Sequence, residues 1–299
     1  MIVGARRVLT SGVLIAGLLF AGCSTTTSTT TSTTTDAATD PATPTTLPTT
    51  TTSTTPTTST STSTSTSVAA TVLPTTAAGA GLFLGEEVIG TSVAGHPIVA
   101  SHRGTAGGTV VLVVGVIHGD ENDGLAILDL LGARPIPAGI DLWLMPAMNP
   151  DGFANDERGN GNGVDLNRNF PHDWTQIGEP GDGQYSGSGP ASEPEMQSFI
   201  AFAQRIMPTL TIWYHQDLHR ISPSTGRDAP LRQRYAELTG LDLLSITGGV
   251  YTGVAATWVR QTVPDAMSFI VELGSSLSPE EATMHADAVL VIAQLAATV

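Results

Sequence analysis

From Ser24 to about Ser67 the chain is almost nothing but threonine, serine and scattered proline, and this tract decides where folding can happen. Such residues carry too little apolar surface to offset the entropy of ordering a chain, so the tract is expected to stay extended and solvated. A flexible coil of roughly 50 residues spans on the order of 40 Å. That suits a tether, assigned to residues 24–80. Residues 81–299 remain as the stretch long enough for one domain with a sizeable core.

Ahead of the tract stand Arg6-Arg7, an apolar run from Val8 to Phe20, and Ala21-Gly22-Cys23. A basic start, a short apolar run and small residues before a cut mark a secretory signal. The residue after the small pair is the chain's only cysteine, so residues 1–23 resemble a bacterial lipoprotein signal. The resemblance implies lipidation of Cys23 and an extracytoplasmic protein anchored to the cell membrane. Phe20 stands where such signals usually carry an aliphatic residue. An uncleaved membrane anchor is the alternative, although the run is short for a spanning helix of ~20 residues.

Two absences prune the chemistry of the folded part. All twelve basic residues are arginines, which excludes a P-loop lysine and a pyridoxal Schiff base. The lone cysteine belongs to the signal, which excludes cysteine nucleophiles, thiolate metal sites and disulfides. No Gly-x-Ser-x-Gly elbow occurs, which weakens a serine-hydrolase reading. Without Arg6 and Arg7, ten basic residues face 27 acidic ones, a balance of −17 that repels nucleic acid.

Apolar patterning predicts the elements. Val88–Val93 and Ile98–Ser101 read as a hairpin around Ala94-Gly-His-Pro97. Thr109–Ile117 is a continuous β-branched run, expected as a strand buried on both faces. Further strands are predicted at 140–146, 210–214 and 268–273. Helices are predicted at 120–131, 193–206 and 231–239, with a long loop over 149–190. A last helix opens at Ser278-Pro-Glu-Glu281 with a capping box. Strands alternating with helices predict a single α/β domain whose mixed, largely parallel central sheet is flanked by helices. Sites in such sheets gather at the carboxyl ends of the strands, where His118, His215 and Glu272 fall.

His118-Gly-Asp-Glu121 sets an imidazole and a carboxylate three residues apart, where a strand is expected to pass into a first helical turn. Both are ordinary zinc ligands, and a catalytic zinc takes three protein ligands plus water. The best third candidate is His215, with His219 four residues on as its competitor. A His-x-x-Glu pair alone often arises by chance. His96, His102, His172 and His285 lack a partner at ligand spacing and read as structural or exposed.

Asn149-Pro-Asp-Gly-Phe153, Arg158 and Gly163-Val-Asp-Leu-Asn-Arg-Asn-Phe-Pro171 resemble the carboxypeptidase A-like zinc metallopeptidase family. Gly90–Gly95, Ser192-Glu-Pro-Glu195 and Phe269-Ile-Val-Glu272 fit the same pattern in the same order. The resemblance implies one zinc ion on His118, Glu121 and His215, with Glu272 as general base. It implies Arg158 as the carbonyl-polarising cation, and Asn167 and Arg168 as the grip on a substrate's terminal carboxylate. Tyr251 lies nearer Gly253 than the family's substrate-clamping tyrosine would, so it reads equally as clamp or as loop packing. Val254–Thr257 carry no charge, which predicts a small, neutral specificity pocket.

The folded region is short for a digestive carboxypeptidase and is closer in size to the compact bacterial branch that includes murein peptide amidases. The activity implied is zinc-dependent hydrolysis of an amide next to a free carboxylate, with peptidoglycan stem peptides as plausible substrates. The alternatives are an amidase cutting γ-D-glutamyl-diaminopimelate, a deacylase of N-acyl amino acids, and a non-catalytic module that binds cell-wall peptides.

Overall fold

The computed structural model describes residues 82–299. The signal-like segment, Cys23 and the Thr/Ser tract lie outside the described residues. The expected hairpin is β1 (Leu82–Thr91) and β2 (Pro97–Gly104), paired antiparallel. The β-branched run forms β3 (Thr109–Val116), whose residues from Val111 onward are all buried. Next come α1 (Gly124–Ala133), β4 (Ile140–Ala147) and a short α2 (Pro150–Asn155). A 3-10 turn follows at Leu166–Arg168, then α3 (Pro194–Ile206), β5 (Leu210–Gln216) and the two-residue β6 (Arg220–Ile221). The chain ends with α4 (Ala229–Thr239), β7 (Asp242–Leu243), α5 (Ala255–Thr262), β8 (Met267–Leu273) and α6 (Pro279–Ala296).

Among the described residues, eight strands make one sheet in the order β1-β2-β4-β3-β5-β8-β6-β7. Its centre, β4-β3-β5-β8, is parallel, while β2 and β6 join antiparallel. The expected mixed, largely parallel α/β architecture is the one observed. One expectation needs correcting. The first helix begins at Gly124, not at residue 120, so His118 and Glu121 share a turn closed by Glu121 N–H donating to His118 O at 3.2 Å. The polar run Asp120–Asp123 has no apolar face to bury, and helix starts only where Ile127, Leu128 and Leu131 can pack.

Alternation along the strands divides the interior into two cores. Val111, Val113, Ile212 and Tyr214 face one side with residues of α1, α4 and α6. Leu112, Val114 and Trp213 face the other with Phe170, Phe199 and Trp258. The first core holds a polar chain: the Tyr214 and Tyr235 hydroxyls lie 2.8 Å apart, and Tyr235 Oη lies 2.8 Å from His285 Nδ1. The capping box of α6 forms as expected, with Ser278 Oγ accepting from Glu281 N–H and Glu281 Oε2 from Ser278 N–H.

Candidate metal centre

Each quoted motif has a local structural job. Asn149 caps α2 by accepting from Gly152 N–H at 2.9 Å, and its amide donates to Ile117 O at 3.1 Å and Arg158 O at 3.3 Å. One side chain therefore ties the strand leading to His118 to the arginine across the cleft. Asp151 accepts from Ser92 Oγ and Ala94 N–H, which staples the β1–β2 turn to α2. Gly119 runs against Gly152 so closely that a Cβ on Gly119 would stand 1.9 Å from the Gly152 carbonyl carbon. Glu193 and Glu195 both accept from the Asn160 amide, at 2.8 and 3.0 Å, and hold the long loop on α3.

The turn after β3 and the end of β5 are clipped together. Asp123 N–H donates to Gln216 Oε1, and Gln216 Nε2 donates to Asp123 Oδ2, both at 3.0 Å. Glu121 Oε2 consequently lies 2.7 Å from His215 Nδ1 and 2.9 Å from His118 Nδ1. The two rings meet edge-on with centroids 4.6 Å apart. His118 Nδ1 is buried and lies off the direction that a hydrogen bond to Glu121 needs.

Ligand atoms from His118, Glu121 and His215 all fall within 4.8 Å of one another. A buried imidazole nitrogen without a hydrogen bond, a second Nδ1 and a carboxylate oxygen converging on one point fit a zinc ion. His219, the competitor for the third place, sits in the β5–β6 turn and is outside this cluster.

A partner absent from the ligand expectations orients the cluster. Asp165 Oδ1 lies 3.0 Å from His118 Nε2, which fixes the ring and leaves Nδ1 for the ion. Asp165 Oδ2 accepts from Arg158 Nε at 3.1 Å and Nη2 at 2.9 Å, while Arg158 Nη1 donates to Glu121 Oε1 at 2.7 Å. Its signal was in the chain all along, two residues before Asn167 inside the Gly163–Pro171 block.

Burial opposes charge on His118, but Asp165 and Glu121 outweigh it and raise its pKa. Burial likewise opposes the Asp165 carboxylate, yet His118 and Arg158 hold it well below the usual range. For His215 burial dominates and the pKa falls. Glu272, paired in register with His215 across β5 and β8, is pushed up to about 7 by burial and by Glu121.

The remaining expected residues line the same cleft, of about 460 Å³. Arg168 is 3% exposed, its Nη1 donates to Asn167 O at 2.9 Å, and its Nε has no hydrogen-bond partner. Tyr251 is half exposed and places its ring 5.1 Å from the Arg168 guanidinium carbon. Asn167 turns Oδ1 to Ala255 N–H at 2.9 Å and Nδ2 toward His215 Nε2 at 3.4 Å. Gly253 anchors the Tyr251 segment. Its φ is +59°, and a Cβ there would stand 2.3 Å from Arg168 O.

The expected pocket is small, but its expected neutrality is corrected. A side cavity of about 220 Å³ opens from the cleft and is lined by Arg232 and Arg260. The uncharged segment Val254–Thr257 supplies one wall only. The cations come from α4 and from the next turn of α5.

The pattern of the zinc carboxypeptidase family matches residues 85–223. Murein peptide amidase A of Escherichia coli K12 is 30% identical over 185 residues, covering 58% of this chain and 76% of that protein. The chain belongs to the zinc carboxypeptidase family. It is a zinc-dependent, metallocarboxypeptidase-like hydrolase.

Metallocarboxypeptidase A of Trichophyton rubrum is 28% identical over 162 residues, 44% of this chain and 38% of that one. Among solved structures, the murein-tripeptide amidase of E. coli O157 has a TM-score of 0.57 at 25% identity, covering 70% of this chain and 92% of that one. The carboxypeptidase A of Helicoverpa armigera shares the fold, with a TM-score of 0.63 at 19% identity over 72% of this chain and 69% of that one.

Proposed function

We propose that this zinc carboxypeptidase-family chain hydrolyses the amide bond next to a terminal carboxylate of cell-wall stem peptides. One observation carries the reading: the ligand cluster, Glu272 and the incompletely paired guanidinium of Arg168 line a single cleft. An arginine offers a planar fork suited to bidentate pairing with a carboxylate, which selects a chain end over a mid-chain bond.

When bound to His118, Glu121 and His215, zinc supplies a Lewis acid and a water acidified toward pKa ~7. Glu272 accepts the proton of the attacking water and passes it to the departing amine nitrogen. Arg158 is held by Asp165 through Nε and Nη2 and by Glu121 through Nη1, and its guanidinium lines the cleft beside the oxygen on which negative charge develops. Asn167, which also reaches His215 and the start of α5, grips the terminal carboxylate with Arg168, and Tyr251 closes over it.

The likeness to a murein peptide amidase favours the γ-D-glutamyl-diaminopimelate bond as the one cut. The signal-like residues 1–23 and the Thr/Ser tract support an exported enzyme tethered through a lipid on Cys23, in reach of peptidoglycan. A silent binding module would be expected to lack a ligand or the base, whereas His118, Glu121, His215 and Glu272 line one cleft here.

Mass spectrometry of products from a muropeptide pool, with zinc and with chelator, tests the reading. Zinc-dependent loss of diaminopimelate-containing fragments at the γ-D-glutamyl bond is expected. Muropeptides that bind but stay intact in added zinc would restore the binding-module reading.

A further inference from the structure

The side cavity has an uneven charge balance. Arg232 is buried and already matched: its Nε and Nη2 both donate to the buried Asp228 Oδ2, at 2.8 and 2.5 Å. Arg260 has no such partner. Its Nη1 donates to Ser268 O at 2.6 Å and its Nη2 to Thr257 Oγ1 at 3.1 Å, both neutral acceptors. No carboxylate within ion-pair distance of Arg260 is found among the described residues. An arginine stays protonated under any ordinary condition, so two neutral acceptors orient this cation without neutralising it. Burial and the neighbouring Arg232 act against its charge and outweigh the support from Asp228, which leaves a site that gains from an incoming anion.

The cavity is placed to receive part of a substrate. It shares Ile246, Tyr251, Val254, Ile270 and Glu272 with the catalytic cleft, whereas Arg260 lines the side cavity but not the cleft. Ile246, Val254 and Ile270 are the apolar residues common to both spaces, so a side chain passing from the cleft into the side cavity, where Arg260 stands, meets them. Apolar walls with a cation beyond them match an aliphatic chain that ends in a carboxylate.

We propose that Arg260 is a specificity-determining residue, selecting substrates whose departing residue carries a carboxylate at the far end of its side chain. The class is a diacid residue, such as glutamate or a longer amino diacid. This inference rests on the amide-hydrolase reading above and names the substrate class for that site.

The test uses the zinc-loaded protein and two series of amides, N-benzoylglycyl and γ-D-glutamyl, each ending in glutamate, glutamine, norleucine or lysine. The expected kcat/KM order places glutamate at least tenfold above glutamine and norleucine, with lysine lowest. R260Q brings the glutamate-to-glutamine ratio to about one, R260K keeps it above one, and R260E moves the preference toward lysine. A merely structural role for Arg260 would lower all substrates together and leave the ratio unchanged, which overturns the proposal. Equal cleavage of the glutamate and glutamine ends by the wild type overturns it while leaving the hydrolase reading standing. Failure to cleave both series and γ-D-glutamyl-diaminopimelate sinks the amide-hydrolase reading and the inference with it, whereas cleavage of the diaminopimelate amide with no preference for glutamate over glutamine overturns the inference alone.

Discussion

The metal centre and the side cavity lie on either side of Glu272, yet their charges are arranged in opposite ways. Around the metal ligands the charged groups are matched: Asp165 by His118 and Arg158, Glu121 by two imidazoles and by Arg158 Nη1. In the cavity Asp228 matches Arg232, and Arg260 is left with neutral acceptors alone. A matched network holds ligand atoms in place before the ion arrives. An unmatched cation waits for a group that the substrate brings. On the proposals above, reaction chemistry and selectivity fall to separate charge arrangements in two spaces that share Glu272.

The largest expected effects break the matched side. E272Q removes the proposed proton acceptor while keeping the shape, and should lower kcat by about 10²–10⁴-fold. Stopped assays on the zinc-loaded variant measure this, and a loss below tenfold would remove Glu272 from the role of base. R158A should lower kcat by about 10²–10³-fold, because it deletes the charge proposed to stabilise the developing oxyanion. A rise in KM with kcat intact would show instead that Arg158 binds the ground state.

D165N comes next. It weakens the partner that orients His118, so zinc affinity should fall about 10–100-fold. Competition with a chelating dye reads this directly, without any turnover. Unchanged affinity would mean that Asp165 serves Arg158 alone.

A pH profile then sharpens the contrast. Burial and Glu121 raise Glu272 to about 7, and a base works only when deprotonated, so kcat/KM should fall as pH drops through its pKa. In the loaded enzyme the dication favours the carboxylate, so the limb should lie below 7. A limb above 7 would show that another group titrates.

The smallest effect sets the background for both sites. Burial lowers His285 to about 4, beneath the 6.5 of an unfolded histidine. The unfolded chain therefore binds the extra proton first. Stability from this group is complete above 6.5 and is lost as pH falls toward 4, at most about 3 kcal/mol. Urea titrations should show a smaller acid loss in H285Q than in wild type, and equal losses would discount the group.

The metal centre was legible because its parts sit in short, contiguous words: His118-Gly-Asp-Glu121, and the block from Gly163 to Pro171. In those words spacing and local turns decide which atoms meet. The helix start was misread because the spacing of His118 and Glu121 fits a helical turn and a tight turn equally well. The two-residue strands β6 and β7 were missed because they are too short to show a period. The cavity was read from Val254–Thr257, whereas its cations, Arg232 and Arg260, lie on two helices that only tertiary packing brings together. The parallel centre of the sheet followed from alternating element types, but the order of its strands had no counterpart in any local pattern.

Gly119 offers nothing to an ion, yet the near collision of its backbone with Gly152 gives it leverage over the ligands. Its neighbours carry two of the three donors, so a methyl group there would act as a wedge that shifts both donors together relative to His215. Metal retention in this enzyme is thereby open to adjustment from a position that carries no side chain at all.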